Sequence, residues 1–212
     1  GPTTAAELHA DTAPYRDVPV TSDFAGYIAY CQKEGIISGY ADGPFRPAGT
    51  LTGYAFMKML LGALGYDAEI EGYTGPNWSI NVAKQAIGIG LNASLEKTFN
   101  GVEYVTREEA ALYAFNTLKA DLVEYDTKIT ADVNGTTVSV GNSNAKPQEW
   151  TSQMTRNNNI YDDTHVQFAE QYFNKLVLRE DMEVFGRPDR EWKYDGDDIG
   201  TYVNMDLFKQ EY

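Results

Sequence analysis

The chain is poor in the groups from which reactive centres are usually built. Its 212 residues include one cysteine, Cys31, and two histidines, His9 and His165. A single thiol excludes an internal disulfide, and one Cys with two His cannot supply the four ligands of an ordinary zinc site. No metal is expected, and Cys31, set in an apolar helical stretch, is expected as a small buried hydrophobe rather than a reactive thiol. Basic residues are also scarce, 17 against 31 acidic, for a net charge of −14. Without a cationic stripe, nucleic acid is not an expected partner, because phosphate backbones are held by clustered Lys and Arg. The longest apolar run, Phe56 to Leu64, is broken by Lys58 and Gly62 and falls far short of the roughly 20 residues that cross a bilayer. No membrane insertion is expected. No basic stretch followed by an apolar one opens the sequence, so no secretory signal is expected within it. Catalytic signatures are missing too: there is no G-x-S-x-G, no Cys/His pairing and no metal triad. The acidic neighbours Glu108-Glu109 and Asp162-Asp163 do not supply a facing carboxylate pair, since adjacent helical residues diverge by about 100°. Neither an enzyme nor a cofactor is expected.

What the chain does have is a repeat. TLTGYAFMKMLLGALG from Thr50 and EYVTREEAALYAFNTLK from Glu103 align at an offset of 54. This matches Thr52 with Thr106 and sets Phe56, Met57, Leu60, Leu61 and Leu64 against Ala110, Ala111, Ala114, Phe115 and Leu118, one apolar helical face each. Thr52 and Thr106 are expected as N-caps, with Glu109 completing a capping box, and Gly65 as the residue that ends the first of these helices. Upstream, Ile28, Cys31 and Gly35-Ile36 match Ala83, Ala86 and Gly90-Leu91 at an offset of 55, and Phe45 matches Phe99 at 54. Each unit is thus helix, glycine stop, irregular loop, capped helix. The units run over residues 14–66 and 70–120.

Between the helices of the first unit lies GYADGPFRP, residues 39–47. Asp17-Val18, this loop, and a helix ending LGALGY together resemble the S-layer homology domain, whose consensus reads DV, then GYPDGTFRP, then ITRAEFA. The second unit keeps VTREEAA but has lost the loop signature, which reads SLEKTFNG from Ser94. The resemblance implies helix-loop-helix repeats packed as a pseudo-symmetric bundle. It also implies an extracellular protein, or a fragment of one, held noncovalently at the wall of Gram-positive bacteria by a secondary cell-wall polysaccharide, often pyruvylated. In that family a loop and the helix start of a neighbouring repeat share a groove. The glycan-binding residues it implies here are Tyr40, Asp42, Gly43 and Arg46 from the first unit with Thr106, Arg107 and Glu109 from the second, forming one working groove. Each has a structural alternative. Asp42-Gly43 suits a tight turn, Arg46 can brace Asp42 or Glu34, Phe45 is expected to pack between helices, and Glu109 can serve only its cap. Tyr54 is equally suited to stacking on a sugar or on protein.

Residues 121–212 read differently. Ile129, Ala131, Val133 and then Val138, Val140 alternate about Asn134-Gly135, a strong hairpin signal. Phe168, Tyr172 and Leu176 are spaced for a short helix, and Asp195-Gly196-Asp197-Asp198 lacks the spaced ligands of a calcium loop, so a solvated acidic turn is expected. The FGRP…IGTY run is similar to segments that follow such repeats in some clostridial surface proteins. The fold class is therefore α+β: helical repeats, then a smaller segment with a β-hairpin and a short helix. Acidity is heavier there, with 9 basic and 18 acidic residues against 8 and 13 in residues 1–120. A second functional reading fits the degenerate repeats, that of a self-associating surface-layer protein whose repeats contact protein instead of glycan.

Overall fold

The computed structural model describes residues 7–9, 11–95, 97–126, 129–133, 136–140, 144–151, 160, 164–180 and 189–203, with only the backbone of the two strands in 129–140. The Asn134-Gly135 turn, Asp162-Asp163 and FGRP lie outside the described residues. Helices occupy the N-terminal part and small antiparallel sheets the C-terminal part, an α+β fold. The chain divides into two units, Gly1–Thr117 with Val123–Lys146, and Leu118–Leu122 with Pro147–Tyr212.

The first unit holds α1 (Ala25–Lys33), α2 (Gly53–Ala63), α3 (Trp78–Gly88) and most of α4 (Arg107–Leu118). The expected caps form. The Thr52 hydroxyl accepts the Ala55 N–H at 3.3 Å. At α4 the Thr106 hydroxyl accepts from the Glu109 N–H at 3.1 Å, while a Glu109 carboxylate oxygen accepts from the Thr106 N–H at 2.8 Å, a reciprocal capping box. The upstream pair of helices ends identically at the offset of 55. Ile36 N–H donates to Cys31 C=O and Leu91 N–H to Ala86 C=O, both at 2.9 Å, while Gly35 and Gly90 donate to Gln32 and Ile87. Gly35 and Gly90 have φ of +72° and +77°, the left-handed residue that closes a Schellman motif. Gly65 (φ +98°) ends α2 in the same way.

The 54-residue offset aligns the caps but not the buried faces. In α2, Gly53, Met57 and Leu61 are buried, and Leu64 just beyond it is fully so. In α4 the buried residues are Tyr113, Asn116 and Thr117, whereas Ala111 and Ala114, expected inside, are exposed. Two features fix this rotation. The Asn116 amide donates to the carbonyls of Leu91 and Ala93 at 3.0 and 2.9 Å, and Tyr113 carries far more apolar surface than an alanine methyl, so its burial decides which face turns inward. A second cluster joins Tyr15, Val18, Ala25 and Ile28, with Phe45 and Ile37 packed against it. Cys31 is half-buried, and burial pushes its thiol pKa up, with Glu34 adding to the shift. It therefore stays a protonated thiol. The expected hairpin is present as β1 (Ile129–Val133) and β2 (Thr136–Val140), paired from Ile129↔Val140 to Val133↔Thr136.

In the second unit α5 spans Phe168–Tyr172. The rings of Phe168 and Tyr172 meet at 4.8 Å as the i, i+4 spacing requires, but the helix does not reach Leu176. Phe173 leaves helical geometry at φ −130°, ψ 60°, and Leu176 opens β3 (Leu176–Glu180). With β4 (Asp189–Tyr194) and β5 (Asp197–Val203) it builds a three-stranded antiparallel sheet. Asp195 and Gly196, both at positive φ (+54° and +93°), make the two-residue turn between β4 and β5. This is the Asp-Gly hairpin chemistry of a type I′ turn, and Lys175 pairs with Asp195 at 2.6 Å.

Candidate binding cavity

The loop after α1 is shaped by its backbone. Tyr40 N–H donates to Pro44 C=O at 2.9 Å and Gly43 N–H to Tyr40 C=O at 2.8 Å, closing a tight turn through Ala41 and Asp42. Gly39 and Gly43 stand at φ +67° and +98°. Arg46, at φ +59°, takes a conformation rare for a side chain of its size.

A residue outside the loop holds that strained stretch. The Asp17 carboxylate accepts the N–H groups of Phe45 at 2.8 Å and Arg46 at 2.6 Å. These bonds, the Phe45 one first, hold the Asp17 carboxyl below its ordinary pKa. Val18 beside it is 1 % exposed, so the DV pair has two tasks, one anchoring the loop and one entering the core. Phe45 packs as expected, its ring stacked on Tyr15 at 5.4 Å.

Under this loop opens a cavity of about 430 Å³. Tyr40, Phe45 and Arg46 come from the loop, Lys58 and Met59 from α2, and Tyr73 from the segment that leads into α3, while Trp78 is the first residue of α3. The walls are mainly apolar and aromatic, with two cations. The Arg46 guanidinium sits 4.3 Å from the centre of the Tyr40 ring and pairs with Asp42 at 2.6 Å, both partners half-exposed. The Lys58 ammonium lies 5.8 Å from the centre of the Trp78 ring. No carboxylate is within ion-pair reach of Lys58 among the described residues. Burial lowers its pKa, an effect Glu69 partly offsets from a distance.

The other candidates from the sequence stand elsewhere. Tyr40 and Arg46 line the cavity, and Asp42 and Gly43 belong to the turn behind them, but Thr106, Arg107 and Glu109 do not line it. Thr106 and Glu109 are occupied with each other in the cap. Glu109 also pairs with Lys97 at 3.0 Å, and the Thr106 N–H and Lys97 together hold its carboxyl below the ordinary range. Arg107 is exposed at the start of α4. Nor does the start of α2 offer free donors to an anion. Gly53 N–H donates to Glu103 C=O and Tyr54 N–H to Gly101 C=O, both at 2.9 Å, while Ala55 N–H is taken by Thr52. The second loop thus plugs the helix terminus of the first unit. Tyr54 packs on protein, edge-on to Phe99 at 5.8 Å and Trp78 at 6.3 Å.

Sequence reasoning missed Asp17 as the loop anchor, and Lys58 and Trp78 as cavity residues. The signal for Lys58 was present: a lone charge in the longest apolar run of the chain.

Comparison with known proteins finds a family likeness for part of the cavity lining. The S-layer homology domain model matches residues 14–53, which contain Asp17, the whole loop and the start of α2. Over 136 residues the chain is 27% identical to the middle cell wall protein of Brevibacillus brevis, covering 63% of this chain and 12% of that protein. Over 134 residues it is 27% identical to the surface layer protein of Brevibacillus choshinensis, with the same shares. The chain therefore spans about an eighth of the length of these curated relatives. No solved structure matches it.

Proposed function

We propose, taking residues 14–53 as an S-layer homology repeat, that this chain is part of a cell-surface protein and attaches it to the wall by binding a secondary wall polysaccharide. The observation that carries the reading is the aromatic, cation-bearing cavity formed at the matched repeat. Tyr40 and Arg46 are its ligand contacts, Asp42 and Gly43 set the loop that presents them, and Thr106 and Glu109 support the reading only as the cap that positions Arg107. Arg107 is retained as a further contact for a polymer extending beyond the cavity. Aromatic faces suit sugar rings, and a guanidinium suits carboxylates.

Co-sedimentation tests this. The protein should pellet with walls of an S-layer-bearing Gram-positive bacterium and stay in solution with walls stripped of polysaccharide by acid. Arg46→Ala should lower the pelleted fraction several-fold, and Arg107→Ala by a smaller factor. Equal pelleting with stripped walls would refute polysaccharide binding.

A second reading, self-association within a surface layer, is favoured by α3. Ile80 and Ile87 lie two turns apart on one face and are 66% and 46% exposed. A mass by light scattering that rises with concentration, and falls back in Ile80→Lys, would support it.

A further inference from the structure

The two repeats meet at a junction with two parts. The first is a backbone pairing. The second loop lays the carbonyls of Glu103 and Gly101 on the N–H groups of Gly53 and Tyr54 at the start of α2, and the Val105 N–H donates to Leu51 C=O, all at 2.9 Å. The second part is helix packing. Among the described residues α2 and α3 are the one pair of helices in extensive contact, and Met57 and Leu61 of the one and Val82 and Ala86 of the other are fully buried. The receiving side of the junction is thus the start and one face of the second helix of a repeat. The giving side is the loop and first helix of the repeat that follows.

Each repeat carries both sides, so one of each is left over. Moved by 54 residues, the receiving side falls on α4. There the N–H groups of Arg107 and Glu108 have no acceptor among the described residues, and Ala111, the match of Met57, is exposed together with Ala114. The giving side of the first repeat is the loop edge at residues 47–51 with α1. Among the described residues the carbonyls of Pro47 and Gly49 and the Leu51 N–H are unpaired. On α1, Tyr27, the match of buried Val82 at the offset of 55, is 47% exposed, and Phe24 just before the helix is 67% exposed. The groups left open at the two ends are therefore those that meet in the middle.

We propose that α4 of one copy receives the first loop and α1 of a second copy, so that chains join head to tail through the junction that already joins their own repeats. This rests on the self-association reading above and gives it a surface other than the Ile80–Ile87 face. The contact is heterologous, using different surfaces of the two copies, and it propagates into a ring or an open chain. It pairs backbone groups that otherwise face water and covers the exposed Phe24 and Tyr27. It is weaker than the internal junction for two reasons. The internal one forms within a single chain, at high effective concentration. It also has a closer approach: a Cβ on Gly53 would stand 3.1 Å from the Gly101 Cα. Arg107 and Pro47 take those two places between copies, and the loop must stand slightly farther off. The other tight spot disappears, because the Tyr54 ring that a Cβ on Gly101 would strike is replaced by Glu108, which carries no ring.

Sedimentation equilibrium of the whole chain, from micromolar to millimolar concentration, tests this. The mass should rise above that of one copy as concentration rises. Tyr27→Glu blocks the giving side and Ala111→Glu the receiving side, and both positions are exposed. Each variant alone should stay a monomer. An equimolar mixture of the two should form heterodimers and stop at two copies, because it retains one intact side of each kind. Arg107→Gly, which puts the glycine of α2 at the start of α4, should tighten association several-fold, and Ile80→Lys should leave it unchanged. A mixture that stays monomeric, association that survives in either blocked variant alone, or association that is unchanged or weaker in Arg107→Gly overturns the proposal. Association lost in Ile80→Lys but kept in Tyr27→Glu and Ala111→Glu leaves self-association standing on α3 and removes this junction from it. A monomer at every concentration refutes both.

Discussion

Asp17 governs a loop 28 residues away. Its two carboxylate oxygens satisfy two consecutive backbone donors, one of them on a residue at positive φ, so the ionised form is the form that anchors. Its folded pKa lies below the ordinary 3.8. The contribution is therefore complete above that value and is lost as pH falls through the lower, folded one. The amide protons of Phe45 and Arg46 should keep their shifts from neutral to mildly acid pH and then move together below about pH 3.8. In Asp17→Asn, which has one acceptor oxygen instead of two, those amides should exchange with solvent at least tenfold faster and the acid transition should vanish. Retained protection would remove Asp17 from the anchor. The sequence offered Asp17-Val18 only as a matching pair of letters. Its role became readable once the fold placed it beside residues 45 and 46, because a carboxylate can serve any donor within reach and nothing local says which.

At the level of elements, helix ends were legible and helix faces were not. Caps depend on residues within four positions of one another, so Thr52, Thr106, Glu109, Gly35, Gly65 and Gly90 declared their roles in the sequence. The face that α4 buries depends on what it meets: Asn116 turns inward to serve carbonyls of residues 91 and 93, a contact no periodicity contains. The same limit explains α5, where the apolar spacing continues past Phe173 but the backbone does not, and the cavity, whose walls come from three segments. The shared terminators give a graded prediction. A Cβ at Gly35 or Gly90 meets no atom within 4 Å, whereas at Gly65 it would stand 2.7 Å from the carbonyl oxygen of Val123. Alanine at 35 or 90 should thus cost only the left-handed penalty, about 1–2 kcal/mol, and equally in both repeats. At 65 a steric cost of about 1–3 kcal/mol should add to it. Urea denaturation of the three variants checks the order; a Gly65→Ala no worse than the other two would contradict the close approach.

The whole molecule carries 14 excess negative charges, an awkward property for a protein proposed to hold an acidic polymer. Range resolves it. The field of the surface extends about 30 Å at 0.01 M salt but only about 10 Å at 0.1 M, while a contact inside a half-buried cavity is screened far less. Raising salt over that interval should therefore strengthen binding of the long polymer, because distant repulsion is removed. The same change should leave binding of a single carboxylated sugar nearly constant or slightly weaker. Isothermal titration at both salt levels distinguishes the two trends, and a polymer affinity that falls with salt would mean that general attraction outweighs the cavity. The plug that loop 2 forms on α2 has a consequence in time as well. On the ribosome, the first amide groups of α2 emerge about fifty residues ahead of the carbonyls of Gly101 and Glu103 that receive them. At about 5–20 residues per second, this helix spends roughly 3–10 s with its leading end answered only by water and Thr52. The first repeat is therefore completed by the synthesis of the second, and a chain stopped before residue 101 would carry the cavity loop on a helix still waiting for its lid.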